Sequence, residues 1–102
     1  RAKSFDNSAV FSDFITFNRN FNDLRMELYI NNKLTQLANC ELMINKPDAI
    51  LRESSGFITL VDGDLIMTGT PKGVGILHIG DEFTGKIIEK ENLIIEHSWT
   101  VK

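Results

Sequence analysis

From Leu24 the chain alternates. Leu24, Met26, Leu28 and Ile30 are apolar, and Arg25, Glu27, Tyr29 and Asn31 stand between them. A period of two puts the apolar set on one face of a β-strand. Asn31-Asn32 follows, and because asparagine tolerates positive φ the pair suits a tight turn, so Lys33 to Ala38 is predicted to return as the hairpin partner. A second alternation closes the chain. Phe83, Gly85 and Ile87 alternate with Thr84, Lys86 and Ile88, the pattern breaks at Lys90-Glu91-Asn92, and Leu93, Ile95, His97, Trp99 and Val101 then share a face. This predicts a second antiparallel hairpin, with Trp99 in the core and His97 a packed, hydrogen-bonded side chain rather than a ligand.

Between the hairpins the period changes. Leu42, Met43, Ala49, Ile50 and Leu51 are spaced like one face of a helix, and Pro47 is tolerated only in a first turn. A short helix is therefore predicted over about residues 44–55, stopped by Gly56. Asp62-Gly63-Asp64 is a turn, and Leu65-Ile66-Met67 a short buried strand. Thr68-Gly69-Thr70-Pro71-Lys72-Gly73-Val74-Gly75 cannot continue a central strand, since Pro71 lacks an amide donor and Gly73 and Gly75 permit close approach of another group to the main chain. Its hydroxyls at Thr68 and Thr70 suit a carboxylate or phosphate, although the pattern by itself slightly favours an ordinary strand-to-loop exit. The spacing is not that of a phosphate-binding loop. Residues 1–22 are rich in phenylalanine without a sustained period and are predicted to be mostly loop, and His78 falls in a loop as either a structural or a ligand residue.

Composition narrows the class. The 102 residues suit one small domain, and 42% hydrophobic with 25% charged residues is ordinary for a globular chain. A net charge of -3 argues against a nucleic-acid partner, which leaves a basic footprint. One cysteine, Cys40, makes an internal disulfide impossible, and two histidines with it give no Cys/His zinc set. No apolar run reaches the length of a membrane span, so a cytoplasmic protein is expected. The chain starts without methionine, which raises the expectation of a fragment or processed product. These features predict an α+β domain, predominantly β, in which a small binding module is as reasonable as an enzyme.

Two stretches carry more. Ala2-Lys3-Ser4-Phe5-Asp6-Asn7-Ser8 with Ser12-Asp13-Phe14-Ile15, and Gly63-Asp64-Leu65-Ile66-Met67-Thr68-Gly69-Thr70-Pro71-Lys72-Gly73-Val74-Gly75, resemble the fumarylacetoacetate hydrolase family. Asn31-Asn32, Met43-Ile44 and Gly80-Asp81-Glu82 fall at similar places. The resemblance covers nearly all 102 residues and corresponds to the C-terminal half of the family's catalytic domain, a mixed β-roll. It implies a homodimeric enzyme that hydrolyses, decarboxylates or tautomerises small 2-oxo acids and diketo acids with magnesium or manganese.

Lys3 then matches the family's active-site lysine, and Thr70 the threonine that holds the substrate carboxylate, with Gly69 keeping the backbone close to it. The family's metal-binding carboxylates lie upstream of the lysine motif, so no metal ligand is expected in this chain. Asp6, Asp13, Asp62 and Asp64 match motif or turn positions instead. The alternatives are a β-rich small-molecule binding or oligomerisation module without the metal site, and an inactive fragment.

Overall fold

The structure is a computed structural model that describes Asp6 and residues 10–102. Four strands, β1 (Leu24–Ile30), β2 (Lys33–Asn39), β3 (Glu82–Glu89) and β4 (Asn92–Thr100), pair antiparallel in the order β2-β1-β3-β4. Both predicted hairpins are present. The first turns through Asn31 (φ 51) and Asn32 (φ 67), the left-handed pair that matches strand twist, and the second through Lys90 (φ 55). The register puts Leu24, Met26, Leu28 and Ile30 on one face with Ile87, Gly85 and Phe83 and with Ile95, His97 and Trp99.

The opposite face carries, beside Leu34, Leu37 and Ile88, a set of polar residues tied together side chain to side chain. Glu27 accepts from Tyr29 Oη (2.8 Å) and from Arg25 Nε (3.0 Å). Lys86 lies 4.9 Å from the Tyr29 ring centroid and 3.8 Å from Glu96, and the Thr84 and Ser98 hydroxyls are 2.9 Å apart. The Tyr29 hydroxyl and then the Arg25 guanidinium hold the Glu27 carboxyl below its ordinary value, and the same bond to Glu27 pushes the Tyr29 phenol up.

Each hairpin turn is pinned to a neighbouring segment. Asn31 Nδ2 donates to Asp81 (3.0 Å), Asn31 Oδ1 accepts from the Glu82 amide (3.0 Å), and the Asn31 amide donates to the Glu82 carbonyl (2.8 Å). Lys90 is tied to the start of β1 by its amide to Asp23 (3.1 Å) and by its carbonyl to Arg25 Nη1 (2.6 Å). Asp81 also accepts from the His78 amide (2.9 Å), and these two bonds, the one from Asn31 foremost, hold its carboxyl below the ordinary aspartate value.

A carboxyl whose folded-state pKa is depressed stabilises the fold above its unfolded pKa and loses that contribution as pH falls through the folded value. Asn31→Ala is therefore expected to return the Asp81 pKa toward about 3.9 and to lessen the acid sensitivity of the first hairpin. Carboxyl titration by NMR, wild type against variant, checks this; an unmoved Asp81 would show that the Asn31 bond does not control it.

The helix, α1 (Pro47–Ser55), begins at its proline, where the missing amide donor costs nothing, a turn later than the start expected near residue 44. The preceding Met43 to Lys46 stretch is committed elsewhere. Asn39 Oδ1 caps the 3-10 turn Cys40–Leu42 through the Leu42 amide (3.0 Å), and Lys46 Nζ donates to the carbonyls of Cys40 and of Met43, the latter at 3.1 Å. Gly56 follows the helix with φ -73, so a left-handed glycine is not what ends it. Among the described residues no helix is long and apolar enough to cross a membrane.

Three further expectations are corrected. Leu65-Ile66-Met67 is neither a strand nor buried: residues 57–81 carry no helix or strand, and Met67 is 73% exposed. A strand needs a neighbour for its amides and carbonyls, and the four strands described pair only with each other. Trp99 is half-buried against Gly85 rather than enclosed, and its indole N–H has no partner among the described residues. His97 is exposed, its ring centroid 4.7 Å from that of Trp99, and its side chain makes no hydrogen bond among the described residues. The sheet is thus a single layer, with burial concentrated at Cys40, Ile88 and Gln36.

Candidate functional site

The apolar face of the sheet forms one wall of a cavity of about 690 Å³. Leu24, Met26, Ile87 and Ile95 supply the sheet side, and Phe17 and Phe21 come in from the segment before β1. Thr68-Gly69-Thr70-Pro71 also lines it, adding two hydroxyl residues to the polar residues Arg25, Asn39 and Asn45. An apolar enclosure with a few grouped polar atoms is the usual composition of a small-molecule site.

Gly69 has φ 103, a conformation that side chains rarely adopt, and a Cβ there would meet nothing within 4 Å. The glycine therefore serves a backbone shape and leaves an open approach to the main chain beside Thr70. Thr70 is exposed, with its hydroxyl available to an anion. Gly69 and Thr70, neighbours in the chain, both line the cavity; Lys3 lies outside the described residues.

What holds this stretch in place is a contact with β2. Pro71 is half-buried, and its carbonyl accepts from Gln36 Nε2 at 3.5 Å. Gly73, at φ 111, approaches so closely that a Cβ would collide with the Thr35 carbonyl oxygen and lie 3.0 Å from Gln36 Cγ. The close approach anticipated at Gly73 and Gly75 is realised at the first of them; a Cβ at Gly75 would meet nothing within 4 Å. Gln36 was not singled out from the sequence. A lone amide between Leu34 and Ala38 in the apolar register of a strand was the available signal.

Of the acidic residues in the neighbouring turns, Asp64 has a local structural task, accepting the Val61 amide at 2.9 Å, as Asp81 accepts that of His78. Among the described residues no group of three or more His, Cys, Asp or Glu is placed to share a metal ion. The described residues do not fit a magnesium or manganese site, which needs several oxygen ligands in near-octahedral arrangement.

The family model for fumarylacetoacetate (FAA) hydrolase, C-terminal, matches residues 1–97. The oxaloacetate tautomerase YcgM of Escherichia coli (strain K12) is 39% identical over 87 residues, 82% of this chain and 40% of that protein. The mitochondrial oxaloacetate tautomerase FAHD1 of Rattus norvegicus is 40% identical over 88 residues, 84% of this chain and 40% of that protein. Among solved structures, maleylpyruvate hydrolase from Sphingobium sp. SYK-6 superposes with a TM-score of 0.72 at 31% identity, covering 82% of this chain and 30% of that one. The chain thus spans 40% of the length of each of these two curated relatives.

Proposed function

The chain belongs to the fumarylacetoacetate hydrolase family, and from that premise we propose that it forms the carboxylate-holding part of an enzyme acting on small 2-oxo or diketo acids through an enolate. The observation that supports this reading is that Thr68-Gly69-Thr70-Pro71 lines a cavity whose other residues are mostly apolar. Residues 1–102 are read as part of one catalytic domain. The oxaloacetate tautomerases among the relatives make oxaloacetate the first substrate to test.

In this reading the Thr70 hydroxyl and the adjacent amide donate to the substrate carboxylate, and Gly69 keeps that backbone within reach. Loss of a proton from the carbon beside the keto group moves negative charge onto the enolate oxygen. Lys3, the counterpart of the family lysine, stands as the fixed cation for that charge. The apolar wall of Met26, Ile87 and Ile95 lowers the local dielectric, which strengthens each of these interactions over its value in water. An enolate is common to several reactions: return of a proton at the other position completes tautomerisation, whereas in decarboxylation, or in hydrolysis after water adds to the departing acyl carbon, the carbon–carbon bond breaks, its electron pair becomes the enolate, and carbon dioxide or the second acid leaves.

Members of the family are generally metal-dependent. The working unit is read as a homodimer. The cytoplasmic compartment expected from composition stands against a relative named as mitochondrial, and cell fractionation decides it.

The test is conversion of enol to keto oxaloacetate, followed by ultraviolet absorbance, in the protein that contains this chain. The expected result is magnesium-dependent turnover that oxalate inhibits. No conversion of any 2-oxo acid, together with a Thr70→Val variant that binds oxalate as the wild type does, would sink the reading. Oxalate binding that is indifferent to magnesium would favour the metal-free binding module instead.

A further inference from the structure

We propose that Gln36 is a positioning residue for Gly69 and Thr70, delivered to their loop by a β-bulge at Thr35; the proposal rests on the reading of that loop as the carboxylate holder. The register carries the first half of the argument. Leu28 pairs with Gln36 but Tyr29 pairs with Leu34, so Thr35 is an extra residue in β2. Side chains in a strand change face at each step, so without the bulge Leu34 and Gln36 would share a face. With it they separate: Leu34 lies opposite Tyr29 on the polar face, and Gln36 opposite Leu28 on the apolar face. Bulges of this kind re-aim side chains beside functional sites.

The second half is what Gln36 meets there. Its residue is 9% exposed, so its amide needs a partner, and the hydrogen bond it makes among the described residues goes to the Pro71 carbonyl, one residue after Thr70. The bulged residue itself, Thr35, presents the carbonyl against which Gly73 closes. The bulge therefore provides both contacts that dock the loop, one on each side of Lys72. Residues 57–81 contain no helix or strand, and the turn bonds at Val61–Asp64 and His78–Asp81 lie toward the ends of the segment, so the contacts from β2 are the ones beside Gly69 and Thr70. At 3.5 Å the Gln36 bond is long, and a ligand that draws the loop onto the sheet would shorten it toward the usual 2.9–3.0 Å or so.

The experiment compares wild type, Gln36→Met and Gln36→Glu in the protein that contains this chain, with two readouts. Backbone order parameters at Gly69 and Thr70 report the loop directly: about 0.85 in the wild type, as in β1, and below about 0.6 in Gln36→Met. Oxalate titration with magnesium reports the site, and Gln36→Met, which keeps the length of the side chain but not its donor, is expected to weaken oxalate about tenfold. KM for oxaloacetate should rise while kcat holds, the pattern of lost ground-state and transition-state binding alike; simple loss of folded protein would lower kcat.

Gln36→Glu supplies a rescue. At neutral pH its carboxylate faces the Pro71 carbonyl, two acceptors repel, and the loop loosens. Once protonated the acid donates to the same carbonyl, so docking returns as pH falls through a pKa raised by burial above about 4.3. Lys33 on β2 and Lys72 on the loop carry charge in the segments on either side of this contact, so the wild type is followed over the same pH range. Unchanged order parameters and oxalate affinity in Gln36→Met, or no acid rescue in Gln36→Glu, would overturn the proposal. If the wild type binds no oxalate, the carboxylate reading has failed, and the order parameters still decide whether Gln36 positions the loop.

Discussion

Lys3→Ala is expected to lower kcat/KM for oxaloacetate about 10²- to 10³-fold, the usual cost of removing one fixed partner from a developing oxyanion. The size follows from where the charge appears. The enolate oxygen carries charge only as the proton leaves, so a cation held beside it stabilises the transition state more than the ground state, and the loss falls on kcat. Lys3→Arg should recover little, because a planar guanidinium cannot place its charge where a compact ammonium stood. Oxalate affinity measured alongside separates the roles: a variant that loses turnover but keeps most of its oxalate binding marks Lys3 as acting on the enolate, whereas equal loss of both marks it as a carboxylate contact. Full activity in Lys3→Ala would remove Lys3 from the site.

Gly73→Ala is expected to be the most damaging alanine replacement among the loop glycines. Gly63, Gly69 and Gly80 share its positive φ (92, 103 and 93 against 111), yet a Cβ at any of those three meets nothing within 4 Å. At Gly73 the new methyl would occupy the space of the Thr35 carbonyl oxygen, a backbone atom that cannot turn aside as a side chain would. Conformational strain of about 1–3 kcal/mol is therefore joined by a collision, relieved only if the loop leaves β2. Roughly 2 kcal/mol corresponds to a fall in Tm of roughly 10 °C for a chain of this size. Thermal unfolding of Gly73→Ala beside Gly63→Ala isolates the collision, since the second carries the strain alone. Equal Tm values for the two would mean that the Gly73 contact does not hold the loop.

The hairpins were legible because their signals are local. Alternation from Leu24 to Ile30, an asparagine pair that accepts left-handed φ, and alternation through β3 and β4 act within a few residues, and the register follows them. The site was legible only in its residue types, glycine and threonine around a proline, which are equally those of a plain loop. What fixes that loop beside the sheet is its docking on β2, a contact between residues 35 positions apart in the case of Gln36 and Pro71. The bulge that makes the contact breaks the alternation by one residue, and alternation was the rule used to read the strand.

The misplaced strand has the same origin. Leu65-Ile66-Met67 has the composition of a buried strand, but composition does not supply the neighbouring backbone that a strand must pair with, and none stands beside it among the described residues. Trp99 and His97 lie in the apolar register as the alternation predicts; Trp99 is only half-buried and His97 exposed because the sheet is a single layer.

The most direct test of the account is an oxalate titration of the isotopically labelled protein with magnesium present, read at the backbone amides. Saturable shifts centred on Gly69 and Thr70, abolished in Thr70→Val and absent from Glu27, Lys86 and Glu96 on the polar face, are the predicted result. Shifts elsewhere with none at Gly69 and Thr70, or no binding at all, would contradict it.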